Sequence, residues 1–467
     1  MSKTLLLSLL MLSSLSIQAA VLKDSHHAKK TLEIYRTIIG IPTVAGRGKV
    51  PEMAAYLAKE LQQAGFKPED VQIIPTGETA LFIARYLGKS ATAKQPILLL
   101  GHMDVVEALD KDWQRPPFKL TQDDKYFYGR GTIDNKLGIA MLTSTFIRLK
   151  KQGFVPDRDI FLAFSGDEET GMVTTKMLAS HPKLAKAEYA LNSDAGGGDL
   201  DQNGKALAYL VQAAEKTYVS FELTLRNKGG HSSRPRPDNA IYELASALHH
   251  IRDYQFPVMW SDMTREFFDV SGKQMGGELG MAMQAFAKDP TNKKASDRLA
   301  IESSYVGTTR TTCVTTMLSA GHAENALPQS ATATVNCRIF PGTSVQEVKQ
   351  TLQKVVKNDA IEFVILGDPT ESPISELRED VMTAINKAVH ARYPNVKVIA
   401  YMESGGTDGK HFRKAGIPTW AMSSGFMRPD EMFAHGLNER LPIKTFYDGL
   451  DHWSIILKEL TGAKPNN

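Results

Sequence analysis

Five short stretches put acidic or histidine side chains directly after hydrophobic, strand-like runs: Gly101-His102-Met-Asp104, Gly131-Thr-Ile-Asp134-Asn135, Asp167-Glu168-Glu169-Thr-Gly171, Asn192-Ser-Asp194 and Ala434-His435-Gly436. Imidazoles and carboxylates at neighbouring strand ends form the mixed nitrogen and oxygen donor set that suits zinc. Each alone is ordinary: an isolated His or Asp in a loop is usually a surface residue or a cap, and Asp194 by itself reads as a turn residue. The combination carries the reading. His102 and Asp104 are two apart, so in an extended segment both side chains can face the same way, the carboxylate orienting the imidazole through its second ring nitrogen. In Glu168-Glu169 the adjacent carboxylates point in different directions, which lets one hold metal while the other stays free as a base. A single zinc has no need of so many carboxylates, whereas two zincs sharing a bridging Asp do.

The elements that must position these residues alternate helix and strand from about residue 28. Periodicity predicts helices over 28–39, 51–64 and 136–151 and strands over 71–74, 80–86, 97–100 and 160–164, with Pro51 near one helix start and Gly65 and Gly153 past helix ends. Continuous aliphatic strands separated by amphipathic helices indicate an α/β sheet covered on both faces, with functional residues at its strand ends. After Ala213 the character changes. A strand over 218–225, a helix over 239–251, a long polar, Met-containing segment to Arg310, hairpin strands over 310–318 and 330–340, a helix opening at Ser344 with Glu347 as capping-box partner, and a strand over 361–365 read as an inserted α+β domain. The chain then returns with a helix over 377–393, strands over 396–401 and 419–423, and a closing helix from Ile443. The division expected is 1–20, 21–213, 214–367 and 368–467.

With 467 residues, 42% hydrophobic and 23% charged, the composition is that of a globular protein of two to three domains. Residues 1–20 run from Lys3 through a short leucine-rich core to small residues, the order of a secretory signal peptide, with cleavage expected near Ala19 or Ala20. That core is too short to span a bilayer, and no other stretch approaches the ~18 consecutive apolar residues a span requires. The expected location is therefore the periplasm or the exterior. A formal net charge of +3, one less without Lys3, gives no basis for nucleic-acid or membrane-surface binding. The two cysteines, Cys313 and Cys337, sit symmetrically about Asn325 and would face each other across a hairpin, which leaves a disulfide open.

Taken together, Gly101-His-Met-Asp-Val-Val106, Trp113 with Pro116-Pro-Phe118, Tyr128-Gly-Arg-Gly-Thr-Ile-Asp-Asn-Lys136, Asp167-Glu-Glu169, Gly229-Gly-His-Ser-Ser233, Asn325-Ala-Leu-Pro328 and His435-Gly-Leu-Asn-Glu439 resemble the M20 metallopeptidases, the group of aminoacylases, carboxypeptidases and desuccinylases. The resemblance spans roughly residues 30 to 460 in the family's order. It implies a zinc-peptidase-like catalytic domain with a central mixed sheet flanked by helices, plus a lid over about 214–367. It further implies that Asp134 bridges two zincs, His102 and Asp194 complete one shell, and Glu169 and His435 complete the other. Glu168 would be the general base, Asp104 the partner of His102, and the Asp134–Asn135 peptide cis. His231 in the lid would stabilise the oxyanion, from the neighbouring subunit in dimeric members. Arg338 and Asn325 match lid residues that bind the substrate carboxylate, and an arginine fork suits a planar carboxylate, with an ordinary salt bridge the lesser alternative for Arg338. Gly405, Gly406 and Thr407, in a turn at a helix start, offer backbone N–H groups to the same carboxylate.

The reaction expected is hydrolysis of an amide or peptide bond next to a free carboxylate, with two Zn2+, or Co2+ or Mn2+, in the site. The first substrate expectation is a short peptide or dipeptide, the second an N-acyl amino acid, and a binding protein without catalysis is the rival from another class. The segment from Trp113 to Phe118 and the long lid most resemble carboxypeptidase S-like members. The extra lid sequence between about Tyr254 and Thr311 departs from the compact dimerising form, so a monomer and a homodimer through the lid both stay open. Met275, Met281, Met283 and Phe286 in that segment either line an acyl pocket or form plain core.

Overall fold

The computed structural model describes residues 25–89 and 94–462, so the leader over 1–20 and its cleavage near Ala19 or Ala20 lie outside the described residues. The chain forms two compact units, one from residues up to 211 with 376–398 and from 415 onward, the other from 212–375 with 399–414. Among the described residues no helix is long and apolar enough to cross a membrane.

The first unit is built on a mixed sheet. From one edge its strands run Val71–Thr76, Thr79–Tyr86, Ile160–Ser165, Ile97–His102, Tyr189–Asn192, Thr419–Ala421, Ala206–Glu215, Gly197–Leu200 and Phe426–Met427. The central strands Ile160–Ser165, Ile97–His102 and Tyr189–Asn192 are parallel and buried along their whole length, which is why they read as unbroken aliphatic runs. Their registers pair His102 with Ser165 and Leu100 with Asn192, so three strands end at one level. Helix Lys136–Lys151 is buried almost all round, and helix His26–Ile39, capped by the Ser25 side chain, buries Ile34, Tyr35, Ile38 and Ile39. Two glycines allow the helix start at residue 136 to press on the strand ends. A Cβ on Gly138 would lie 2.2 Å from Ser193 Oγ, and one on Gly101 would lie 2.8 Å from Asn135 Oδ1.

The second unit carries a four-stranded antiparallel sheet in the order Thr312–Ala320, Ser330–Ile339, Thr217–Arg226, Glu362–Leu366. Helices Ala240–Asp253 and Val345–Val356 cover one face, packing Leu244 and Leu352 with Phe221, Leu223 and Val335. Asn239 caps the first helix, and the Ser344–Glu347 capping box opens the second. Cys313 and Cys337 stand opposite in register and are joined by a disulfide; the irregularity between Thr315 and Met317 falls beyond them.

Three features differ from the sequence reading. The segment after Tyr254 is not an open polar stretch but four helices, Asp262–Met275, Gly277–Lys288, Lys293–Ala300 and Ser303–Thr309, around a small core of Phe268, Met283, Phe286 and Leu299. Met283 and Phe286 lie in that core while Met275 and Met281 are exposed, so the four residues line no common acyl pocket. Residues 399–414 pack with the second unit, and the closing helix is two, Ile443–Asp448 and His452–Thr461, parted at Gly449.

Candidate metal centre

All five residues expected to hold metal come together in the first unit, His102, Glu169 and Asp194 at or just past parallel strand ends. Asp134 and His435 do not follow strands as the sequence suggested: Asp134 lies in the turn that opens helix Lys136–Lys151 and His435 in the loop before strand Arg440–Pro442. His102 Nε2 lies 2.8 Å from Asp134 Oδ1 and 3.2 Å from Asp194 Oδ1. On the other side of Asp134, His435 Nε2 lies 3.1 Å from its Oδ2 and 2.8 Å from Glu169 Oε1. The donor atoms of His102, Asp134 and Asp194 are mutually within 4.8 Å, as are those of Asp134, Glu169 and His435. Two carboxylates therefore converge on each imidazole nitrogen, although one N–H cannot point at both. That is the disposition of ligands around a cation, and Asp134 turns one oxygen to each group. The donor set fits two ions.

Supporting contacts fix these side chains. His102 Nδ1 lies 3.0 Å from the Asp104 carbonyl; a proton there leaves the Nε2 lone pair for an ion. The Asp104 carboxylate is 3.5 Å from the same nitrogen, but it also accepts the backbone N–H groups of Glu168 at 3.1 Å and Glu169 at 3.0 Å. Asp104 thereby ties the His102 strand end to the Glu168-Glu169 turn. Asp167 steadies that turn from its other end, accepting from Val173 N at 2.7 Å and Thr174 N at 3.0 Å. Glu168, nearly buried, joins His102 and Glu169 in a third close group. The Asp134–Asn135 peptide is cis, and His435 adopts φ 63°, a left-handed conformation that non-glycine residues enter at a cost and that is concentrated at functional sites.

The electrostatics follow from this crowding of charge. Burial works against ionised His102, but Asp194, Asp104 and Asp134 raise its pKa well above the usual imidazole range. Hydrogen bonds to Asp134 and Glu169 push His435 up to about 10. Against the opposing effect of burial, the two imidazoles hold Asp134 well below the carboxylate range.

Glu439 belongs to the site's support and had no role assigned from sequence. Fully buried, it accepts from Ile133 N at 2.7 Å, Gly131 N at 3.1 Å and Asp134 N at 3.3 Å, and pairs with Arg130 at 2.7 Å. Burial raises its pKa, against the pull of those amides and Arg130. Its signal was its place four residues after His435, inside a matched stretch.

In the second unit the expected substrate residues form two separate groups. His231 pairs in register with Ala326, and Ser232 N donates to the Asn325 carbonyl at 3.0 Å, so His231 and Asn325 are neighbours. Arg338 is far from both: from Ser330 to Arg338 the strand rises roughly 26 Å at about 3.3 Å per residue. Within one chain a single small carboxylate therefore does not reach both Asn325 and Arg338. Arg338 instead meets the glycine turn, Nη1 donating to the Ser404 carbonyl at 3.1 Å and the guanidinium lying over the Tyr218 ring. The turn is also less open than expected. Glu403 Oε1 takes the N–H groups of Ser404 at 2.7 Å and Gly405 at 3.1 Å, and Glu215 takes those of Thr407, leaving Gly406 as the residue of the turn whose N–H these acids do not claim.

Peptidase family M20/M25/M40 matches residues 98–459. The chain is 28% identical over 379 residues to N-fatty-acyl-amino acid synthase/hydrolase PM20D1 of Bos taurus, covering 76% of this chain and 72% of that protein. It is 27% identical over 395 residues to probable carboxypeptidase S-like 2 of Dictyostelium discoideum, covering 78% and 71%. The fold matches the crystal structure of the M20 family metallo-carboxypeptidase Sso-CP2 from Sulfolobus solfataricus with a TM-score of 0.70 at 21% identity, over 92% of this chain and 99% of that one.

Proposed function

The chain belongs to peptidase family M20/M25/M40 and is a hydrolase, and on that premise we propose that it is an exported di-zinc enzyme cleaving an amide or peptide bond next to a free carboxylate. The observation that carries this is the sharing of Asp134, one oxygen toward His102 and Asp194, the other toward His435 and Glu169. Bound there, two zincs supply a water acidic enough to ionise near neutral pH and a Lewis acid for the scissile carbonyl. Glu168 takes the proton of the attacking water and returns it to the leaving nitrogen. Asp104 holds Glu168 and His102 in mutual register, so base and ligand cannot drift apart. His231 donates to the oxyanion, and Arg338 with the Gly406 N–H of the turn faces the substrate carboxylate.

The distance between Asn325 and Arg338 favours a homodimer in which a second copy supplies His231 and Asn325. Mixing His231→Ala with Glu168→Gln protein then restores turnover that neither variant has; no recovery returns the reading to a monomer. Export rests on the leader-like residues 1–20, and the Cys313–Cys337 bond is what an oxidising compartment permits.

Short peptides with a free C-terminus are the first substrate class. N-acyl amino acids are the second, favoured by the likeness to an N-fatty-acyl-amino acid synthase/hydrolase. The test is amine release from dipeptides and N-acyl amino acids by zinc-loaded protein, with and without chelator. Chelator-sensitive release supports the reading and ranks the classes; no release from any loaded sample overturns it.

A further inference from the structure

Arg310, at the end of helix Ser303–Thr309 in the second unit, is a buried cation without a counter-charge in contact. It is 5% exposed. Its Nη1 donates to Gln255 Oε1 at 3.0 Å, but Nε and Nη2 have no hydrogen-bond partner among the described residues. Asp297 acts on it only through space, and burial lowers its pKa. A buried guanidinium left this way is costly unless a ligand or water entering the adjoining cavity answers it.

The two unused donors are not a random pair. Nε and Nη2 share one edge of the guanidinium, the edge whose parallel N–H bonds match the two oxygens of a carboxylate. Arg310 lines a cavity of about 110 Å3 whose other walls include Ile251, Tyr254, Phe256, Ala300 and Val306. A cavity of about 150 Å3 takes a benzene ring, so this one admits a ligand of a few heavy atoms. The single positive charge balances one negative charge, and the remaining lining residues, apolar ones together with the uncharged Tyr254, Gln255, Thr311 and Thr312, include no second cation, which disfavours a phosphate dianion.

We propose that this cavity is a carboxylate-binding site separate from Arg338, taking a small monocarboxylate with a short apolar tail, its two oxygens on Nε and Nη2 of Arg310. The proposal does not depend on the hydrolytic reading. Gln255 orients the guanidinium through Nη1, and the Arg310 carbonyl accepts Lys216 Nζ at 2.9 Å, which anchors the residue's backbone from the other side.

The experiment is fluorine NMR of 3,3,3-trifluoropropionate titrated with chelator-treated full-length protein, so that carboxylate binding to metal does not contribute. The expected result is saturable line broadening that unlabelled propionate reverses, that neutral trifluoropropanol does not show, and that persists in Arg338→Met. Arg310→Met abolishes it. Gln255→Glu, which sets an internal carboxylate against the guanidinium, weakens it by about tenfold or more and serves if Arg310→Met does not fold. Absence of broadening, equal broadening by the alcohol, or broadening unchanged in Arg310→Met or Gln255→Glu overturns the proposal.

Discussion

The strand-end cluster of the first unit gathers Asp104, Asp134, Glu168, Glu169 and Asp194 around two imidazoles, whereas the second unit gathers Lys216, Arg310 and Arg338 where few carboxylates reach. Each is unbalanced by the same physics with opposite sign. Burying like charges together is unfavourable, in contrast to a buried opposite-charge pair such as Glu215 with Arg413 at 2.8 Å. In the readings proposed above, cations would balance the acidic cluster and an anion the basic one. The contrast separates binding of metal from binding of carboxylate, and each can be removed alone.

The largest effect is expected at the acidic cluster. Glu168→Gln should lower kcat by about 10²–10⁴-fold while the protein keeps its metal, because the base is lost and the ligands are not. Steady-state rates beside metal content per chain check this; metal loss in the variant would make Glu168 a ligand. Removing the basic partner should act on binding instead. Arg338→Met should raise KM by about tenfold or more for substrates with a free carboxylate, with kcat little changed, and spare their amidated counterparts. An equal change for both would break the contrast. Glu439→Gln should weaken metal affinity by about 10–100-fold, read by competition with a chelator, since the loop carrying Asp134 loses part of its anchor.

The smallest effect concerns Lys216, whose Nζ meets the Arg310 carbonyl and which burial, with Arg338 nearby, lowers to about 7. Free lysine titrates near ~10.4, so between the two values the unfolded chain binds the extra proton and this residue makes stability rise with pH. Below the folded value both states are protonated and the contribution is flat. Lys216→Met should therefore flatten the rise in urea midpoint between about pH 7 and pH 9.5 relative to the unaltered protein.

The acidic cluster was legible from sequence at Asp104, Glu168-Glu169 and Asp194 because these follow buried parallel strands that end together, whereas Asp134 and His435 stand in loops and were carried by the matched stretches around them. The basic cluster was only half legible. Arg338 stood out, but Lys216 and Arg310 gave no local pattern, and nothing near Ser404 showed that Glu403 and the distant Glu215 take the turn's N–H groups. The helices over 262–309 were missed because each buries a narrow stripe, such as Phe268 or Leu299, and leaves the rest polar, with Gly276-Gly277 and Pro290 interrupting the period. The strand Lys397–Glu403 was found, but alternation does not say which unit its end joins.

The contacts of residues 435–439 bear on the order in which the molecule is completed during synthesis. His435 and Glu439 leave the ribosome some three hundred positions after the loop of residues 130–134 that they grip. A nascent chain can align its central strands and present His102, Asp134 and Asp194 well before then. It still lacks the second imidazole of the cluster and the buried acid that sets the loop. Loss of residues 435–439 to a premature stop or a protease would remove both at once, so in the proposed two-ion site tight retention of the second ion would report that this stretch is present and seated.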